Sequence, residues 1–171
     1  MSSPLTREAI PNLPLQQLID SLHIDTAQIY INIDKSDFTL QLCAGSIVIK
    51  TYPVVFGGNP VDDKRIQGDQ CTPEGIFHLR NLYPHAKWSK FMWVDYPTEE
   101  SWEKFNAAKK AGEIPENATI GGEIGIHGTP NDDSLIDDQV NWTLGCISLK
   151  NKHVDEVYEV VRKGTEVRIQ R

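Results

Sequence analysis

The chain has 171 residues, of which 39% are hydrophobic and 24% charged, a composition typical of one globular domain with its own core. The formal net charge is −7, from 17 basic and 24 acidic residues, and the basic residues are not clustered. Because nucleic acids and anionic membrane surfaces are bound by clustered Lys and Arg, neither is expected as the main partner. No apolar run is long enough to span a bilayer.

The first 26 residues are predicted to form an N-terminal leader that ends in a short helix. Residues 1–12 contain two prolines and lack the charged and apolar regions of a signal peptide. A cytoplasmic protein and an exported protein whose signal has been removed both fit this start. Over residues 13–22, apolar side chains recur at i, i+3, i+4 and i+7, which predicts an amphipathic helix.

Residues 27–171 are predicted to form one mostly β domain with a few helices. Alternation over 28–33 and 38–42, followed by a β-rich run over 46–56, predicts a three-stranded antiparallel meander. The other predicted elements are strands over 76–79, 91–96, 120–127 and 165–170, and helices over 99–111 and 152–162, the last with Asn151 as its N-cap.

A thiol and an imidazole stand near the C-terminal end, in the segments 127–129 (His-Gly-Thr) and 143–147 (Thr-Leu-Gly-Cys-Ile). A cysteine is only a few per cent thiolate at neutral pH, so a nucleophilic cysteine needs a base beside it. His127 is the candidate base for Cys146, because a neutral imidazole accepts a proton near pH 7. The alternatives are a buried structural thiol and a histidine that is merely hydrogen-bonded.

Glycines adjoin both candidates. Gly145 permits a sharp turn that exposes Cys146, and the amides of residues 144–146 are predicted to face a developing oxyanion. Gly128 leaves room around the His127 ring, and its carbonyl is the simplest group to orient that ring. The helix after Cys146 is expected to lower the thiol pKa slightly.

The remaining cysteines and acidic residues are predicted to be structural. A disulfide between Cys43 and Cys71 is conceivable, but two small buried thiols are favoured. The aspartates at 132, 133, 137 and 138 are predicted to lie in a solvated loop, because no histidine or further carboxylate completes a hard-cation site. No metal and no cofactor are predicted.

The segments 127–129 and 143–147 resemble the catalytic motif of the YkuD-like L,D-transpeptidase domain, a histidine, a loop and then Ser/Thr-His-Gly-Cys. The similarity covers roughly residues 27–171 and is closest to a branch with Trp-Thr-x-Gly-Cys-Ile, which residues 142–147 match. Further motifs follow the family's order: Tyr52-Pro53-Val54 before Gly57, Asp63-Lys64, Gly68-Asp69-x-x-Thr72-Pro73-x-Gly75, and Asp95-Tyr96-Pro97.

The resemblance implies an L,D-transpeptidase-like β-sandwich with the cysteine at the base of a cleft. It also implies a transferase of cell wall biogenesis that acts on peptidoglycan stem peptides without a cofactor, through a thioester that an amine resolves. Carried over by position, Cys146 is the nucleophile, His127 is the base, and the Gly128 carbonyl holds the imidazole. Amides around Gly145 form the oxyanion hole, and the Thr143 hydroxyl shapes the site.

The same resemblance sets expectations for partners and location. Carbapenem-type inhibitors are expected to acylate the thiol. The expected location is the periplasm or cell envelope, with the cytoplasm as the alternative, and the expected state is a monomer.

Two positions depart from the commoner family pattern, and both bear on substrate choice. Leu144 stands where many members have histidine, and Ser148 where many have arginine. The oxyanion hole uses backbone groups, so Leu144 is not expected to abolish acylation. Substrate and acceptor preference are expected to differ instead, with Leu144 among the substrate-binding residues.

Aromatic residues fill the segment between the early strands and His127. Trp93 and Tyr96 are predicted to line the donor cleft, whereas Trp102 and Phe105 are predicted to pack in the core.

The acceptor is left open by the sequence. Water in place of an amine makes the protein an L,D-carboxypeptidase or endopeptidase, a hydrolase with the same acyl-enzyme. Two further alternatives are an envelope module that binds peptidoglycan without catalysis and a cytoplasmic enzyme with unrelated acyl substrates.

Overall fold

The computed structural model describes residues 13–171, so residues 1–12 of the predicted leader lie outside the described part. Eight strands, four α-helices and a 3₁₀ turn (Thr26–Gln28) make up the described fold. In chain order the elements are α1 (Leu15–Ser21), β1 (Ile29–Asp34), β2 (Thr39–Ala44), β3 (Ile47–Pro53), β4 (Gly75–His85), β5 (Ser89–Val94), α2 (Glu99–Lys110), β6 (Gly125–His127), α3 (Ser134–Asp137), β7 (Ile147–Ser148), α4 (Asn151–Val160) and β8 (Glu166–Gln170).

The strands form one curled sheet in the order β3-β2-β1-β8-β4-β5-β6-β7. Strand β4 belongs to both halves of this sheet, because residues 75–78 pair with β8 and residues 79–85 pair with β5. The mostly β prediction is confirmed, and the predicted antiparallel meander is β1–β3. The site-bearing strands β6 and β7 lie at the opposite end of the sheet from the meander.

The core follows the alternation seen in the sequence. Ile29, Ile31 and Ile33 of β1 are all buried, while the residues between them are partly exposed. Helix α4 packs against β5 and β6 and buries Val154 and Val157 completely. Each such side chain stabilises the fold by about 1.5–3 kcal/mol, so α4 is a firm backing for β6.

The helices confirm the predicted periodicity but not every predicted cap. The Thr98 hydroxyl accepts from the Ser101 amide and the Ser101 hydroxyl accepts from the Thr98 amide, so α2 begins with a reciprocal capping box. The N-cap prediction for Asn151 is wrong: Lys150 is the cap residue, and Asn151 is the first residue of α4. The Asn151 side chain instead accepts from the Thr129 amide at 2.8 Å.

The strand that carries His127 is shorter than the predicted 120–127. Only Gly125–His127 form β6, because Gly121 and Glu123 have positive φ values of 82° and 56°, which a strand does not accommodate. The aspartate-rich loop likewise contains a helical turn, α3, that was not predicted.

The three cysteines are all free thiols, and Cys43 and Cys71 are buried. In the part of the chain described here, no helix has the length and apolar character needed to cross a bilayer.

Candidate active site

Strands β5, β6 and β7 present rows of side chains to one face of the sheet. The register pairs Phe91 with His127 and His127 with Ser148. Cys146 directly precedes β7 and lies beside Gly125, two residues before His127. Because alternate strand residues share a face, the thiol and the imidazole are brought to the same side of the sheet.

The Cys146 thiol is held by backbone groups in the resting site. Sγ accepts from the Gly125 amide at 3.4 Å and donates to the Glu123 carbonyl at 3.5 Å. No hydrogen bond joins this thiol to His127 among the described residues. Proton transfer to the imidazole therefore requires rotation of the S–H bond, as is common in sites without substrate.

The His127 imidazole is buried, with one face stacked on Trp88 and two further aromatic rings around it. Trp88 stacks on it at a centroid distance of 4.2 Å, Phe91 lies at 5.9 Å, and Trp142 meets it edge-on at 5.5 Å. Nδ1 donates to the Gly128 carbonyl at 2.7 Å, and because a carbonyl only accepts, the proton is on Nδ1. Nε2 is left as the nitrogen that accepts a proton.

Burial shifts both catalytic candidates toward their neutral forms. It lowers the pKa of His127 to about 4, against the opposing effect of the Gly128 carbonyl. It raises the pKa of the Cys146 thiol to about 11, against the Gly125 amide that stabilises the thiolate. Burial therefore outweighs the slight lowering of the thiol pKa predicted from the following helix, and the helix contribution itself stays a prediction. The resting site holds a neutral thiol and a neutral imidazole.

The turn before Cys146 is tied together by the Thr143 hydroxyl. This hydroxyl donates to the Cys146 carbonyl at 2.7 Å and accepts from the Gly145 amide at 3.2 Å. Gly145 has a φ of 139°, and a Cβ there would lie 2.7 Å from the Cys71 carbonyl oxygen. The need for glycine at 145 thus has a specific cause, the close approach of a neighbouring loop.

The three amides predicted to form an oxyanion hole, at residues 144–146, are not equally free of hydrogen bonds. The Gly145 amide is engaged by Thr143 and is not available to a substrate. The Leu144 and Cys146 amides donate to no other group within residues 13–171. Two of the three amides are therefore without a partner in the described part of the chain, and their role as an oxyanion hole stays a prediction.

A cavity of about 1320 Å³ opens onto Cys146 and His127. Its walls include seven Phe, Tyr and Trp residues, among them all four tryptophans of the chain: Trp88, Trp93, Trp102 and Trp142. Thr143 lines it as well, and Leu144, which is 78% exposed, lies at its rim. No group of three or more metal-ligating side chains occurs among the described residues.

Two aromatic predictions need correction. Tyr96 was predicted to line the cleft, but its side chain is buried in the core and its hydroxyl donates to the Ile120 carbonyl at 3.4 Å. Trp102 was predicted to pack in the core, but it is 46% exposed and lines the cavity, with the largely buried Phe105 beneath it. Position along a helix or strand does not say which face a cleft will occupy.

Family comparison decides what kind of domain carries this site. The YkuD model, described as the L,D-transpeptidase catalytic domain, matches residues 28–169. The chain belongs to this L,D-transpeptidase family. A comparison with curated proteins finds no match.

Solved structures share the L,D-transpeptidase fold. The helical cell shape determining protein Pgp2 from Campylobacter jejuni has 20% identity and a TM-score of 0.59 over 91% of this chain and 55% of its own. An L,D-transpeptidase from Mycobacterium smegmatis has 14% identity and a TM-score of 0.55, over 84% and 59%. The Ldtfm-avibactam carbamoyl enzyme has 17% identity and a TM-score of 0.55, over 86% and 50%. The chain thus spans between half and three fifths of these proteins.

Two features of this candidate site were not predicted as parts of it. The Thr72 hydroxyl, fully buried, donates to the Gly145 carbonyl at 2.7 Å and so holds the turn before Cys146. Glu123 supplies the carbonyl that the thiol bonds, and its exposed side chain lines the cavity. The Gly-Asp-x-x-Thr-Pro motif was a signal for Thr72, whereas nothing in the sequence singled out Glu123.

Proposed function

We propose that this L,D-transpeptidase domain transfers acyl groups of peptidoglycan stem peptides through a thioester on Cys146. The observation that carries the proposal is one cavity containing a thiol, an imidazole with Nε2 deprotonated, and two backbone amides without other partners. These are the parts that nucleophilic acyl transfer needs. In keeping with this substrate, the proposed location is the periplasm or cell envelope.

The reaction has two balanced steps. In the first, Cys146 Sγ bonds to the carbonyl carbon of the L-to-D peptide bond, the C–N bond breaks, and the D-residue leaves with the proton that His127 took from the thiol. In the second, an acceptor amine bonds to the same carbon and the C–S bond breaks. The amine loses a proton, and the thiol regains one through His127. The Leu144 and Cys146 amides stabilise the oxyanion in both steps.

The cavity suits an extended substrate. Its volume of about 1320 Å³ exceeds the ~300–1,000 Å³ of sites that enclose a single small ligand. Aromatic side chains in the walls can contact the aliphatic side chains of a stem peptide by dispersion and stack on the rings of the attached sugars.

The proposed function is tested by product analysis with a disaccharide-tetrapeptide and D-alaninamide as the amine. Transfer is expected to give a muropeptide in which D-alaninamide has replaced the terminal D-residue. Shortened stems alone, at high concentrations of amine, would instead establish a hydrolase. An unchanged muropeptide together with an unreactive thiol would leave only a binding module.

Glu123 favours an amine over water as the acceptor. Its carboxylate takes part in no ion pair within residues 13–171, although it borders the same cavity as the thiol. The nearby cation Lys64 is neutralised by Asp69 at 2.9 Å. The other cavity cation, Lys109, lies over the Phe105 ring at 5.2 Å. Glu123 and Lys64 are the charged residues that act on the Cys146 thiol, and because Asp69 neutralises Lys64, the remaining charge beside the thiol is negative and attracts an ammonium group.

Replacing Glu123 with glutamine is expected to raise the KM for D-alaninamide about fivefold at low salt, with less effect at high salt. Adduct formation with a carbapenem is not expected to slow, because the carboxylate opposes the thiolate. The matched control is Glu116→Gln, an exposed carboxylate in the same connecting segment but outside the cavity. Equal KM values in both variants would remove Glu123 from acceptor binding.

A further inference from the structure

The peptide unit between Gly128 and Thr129 is fixed at both ends. Its carbonyl accepts from His127 Nδ1 at 2.7 Å and from the Ser148 hydroxyl at 3.0 Å. Its N–H, on Thr129, donates to Asn151 Oδ1 at 2.8 Å. The peptide unit whose carbonyl accepts the imidazole hydrogen is thus held by side chains from two elements, β7 and the start of α4.

The Ser148 hydroxyl has its direction set by Trp142. The indole Nε1–H donates to Ser148 Oγ at 3.2 Å, and an indole can only donate. The serine hydrogen is then free to point at the Gly128 carbonyl. Ser148 is completely buried, so no solvent competes for these bonds.

Asn151 holds the other end because Gly128 lets it come close. A Cβ on Gly128 would lie 2.0 Å from Asn151 Oδ1 and 2.5 Å from the Trp88 carbonyl oxygen. The Asn151 amide nitrogen of the main chain is held in turn by the Asp133 carboxylate at 3.3 Å. The Asn151 side chain, which was predicted to cap α4, thus binds the loop that follows His127 instead.

The Gly128 carbonyl determines which nitrogen of the His127 ring carries the proton. Stacking with Trp88 and the edge of Trp142 fixes the plane of the ring. The remaining choice is which nitrogen carries the proton. If Nε2 were protonated, the ring could not accept the thiol proton.

We propose that Ser148 and Asn151 are positioning residues that hold the Gly128–Thr129 peptide unit so that His127 keeps its proton on Nδ1. This rests on the proposed roles of Cys146 and His127. It assigns a function to Ser148, one of the two positions at which this chain departs from the commoner family pattern.

The direct test is the ¹⁵N spectrum of the histidine rings at neutral pH, which distinguishes the two tautomers and requires no activity. Wild-type His127 is expected to be protonated on Nδ1 alone. Ser148→Ala and Asn151→Ala are expected to show a substantial Nε2-protonated population. Carbapenem acylation should fall about 10- to 100-fold in these variants, the usual effect of losing a group that orients a catalytic ligand or base.

Conservative variants separate positioning from general damage. Ser148→Thr keeps the hydroxyl and is expected to restore the Nδ1 tautomer. Trp142→Phe keeps a ring against His127 and removes only the indole N–H, so its effect should be smaller than that of Ser148→Ala. It also carries the test if Ser148→Ala does not fold. Ser134→Ala, which removes an exposed hydroxyl on α3, is the matched control.

The outcomes are distinct for the two proposals. An unchanged tautomer and rate in Ser148→Ala and Asn151→Ala would overturn the positioning role while leaving acyl transfer intact. A shifted tautomer in a protein whose wild type is not acylated would support the positioning role and overturn the proposed function.

Discussion

Exposure to a carbapenem is expected to add one whole inhibitor mass to the wild-type protein and nothing to the Cys146→Ala variant. The thiolate opens the β-lactam ring, so an S–C bond forms, the ring C–N bond breaks, and no fragment leaves. The ring nitrogen takes the proton that His127 removed from the thiol. Intact-mass spectrometry measures the adduct directly. Loss of the adduct should be complete, because Cys146 is the only cysteine among the described residues that line the cavity.

The other two cysteines supply matched controls. Cys43 and Cys71 are buried, and neither lines the cavity that contains Cys146 and His127. Cys43→Ala and Cys71→Ala should therefore keep the adduct in full. An adduct that survives in Cys146→Ala, or none on the wild type, would exclude Cys146 as the nucleophile.

The sequence predicted the parts of the fold that depend on local periodicity. The meander β1–β3 and the helices α1, α2 and α4 follow from spacing that a single segment shows by itself. The strand predicted over 120–127 failed at Gly121 and Glu123, where the backbone turns left-handed. A glutamate in that conformation is uncommon, so neither composition nor spacing indicates it.

The site shows the same division. The pairing of Cys146 with His127 was predicted because both sit in motifs with fixed order. The contacts of Asn151 and Glu123 were not, because they depend on where a helix start and a left-handed turn meet a strand far away in sequence. A hydroxyl or amide that stabilises a helix in one protein can equally hold a loop in another, and only the tertiary structure decides between them.

The Gly145 amide shows where the structure reduces the number of amides available for the predicted oxyanion hole. Three consecutive amides at residues 144–146 looked equivalent in the sequence, since each carries one donor. The Thr143 hydroxyl removes the middle one by accepting from it at 3.2 Å. One side chain thus ties the turn together and leaves two amides, at residues 144 and 146, for the proposed oxyanion hole.

Replacing His127 with alanine is expected to slow carbapenem acylation about 10²- to 10⁴-fold at pH 7, the usual contribution of a general base. The pH profile should also change in shape. The pKa is about 4 for His127 and about 11 for Cys146, so at any pH between these values the wild-type pair consists of a neutral imidazole and a neutral thiol. The wild-type rate should therefore be level from about pH 5 to pH 8 and fall as His127 becomes protonated nearer pH 4.

In His127→Ala the thiol can lose its proton only to solvent. The thiolate fraction, and with it the acylation rate, should then rise about tenfold per pH unit until the pH nears the thiol pKa of about 11. Added imidazole should restore part of the rate, because the lost side chain leaves a space beside the Trp88 ring in the cavity wall. His78→Ala is the control, because that side chain is exposed on β4 and lies outside the cavity. A level profile in His127→Ala would mean that another group accepts the thiol proton, and the neutral pair would no longer explain the chemistry.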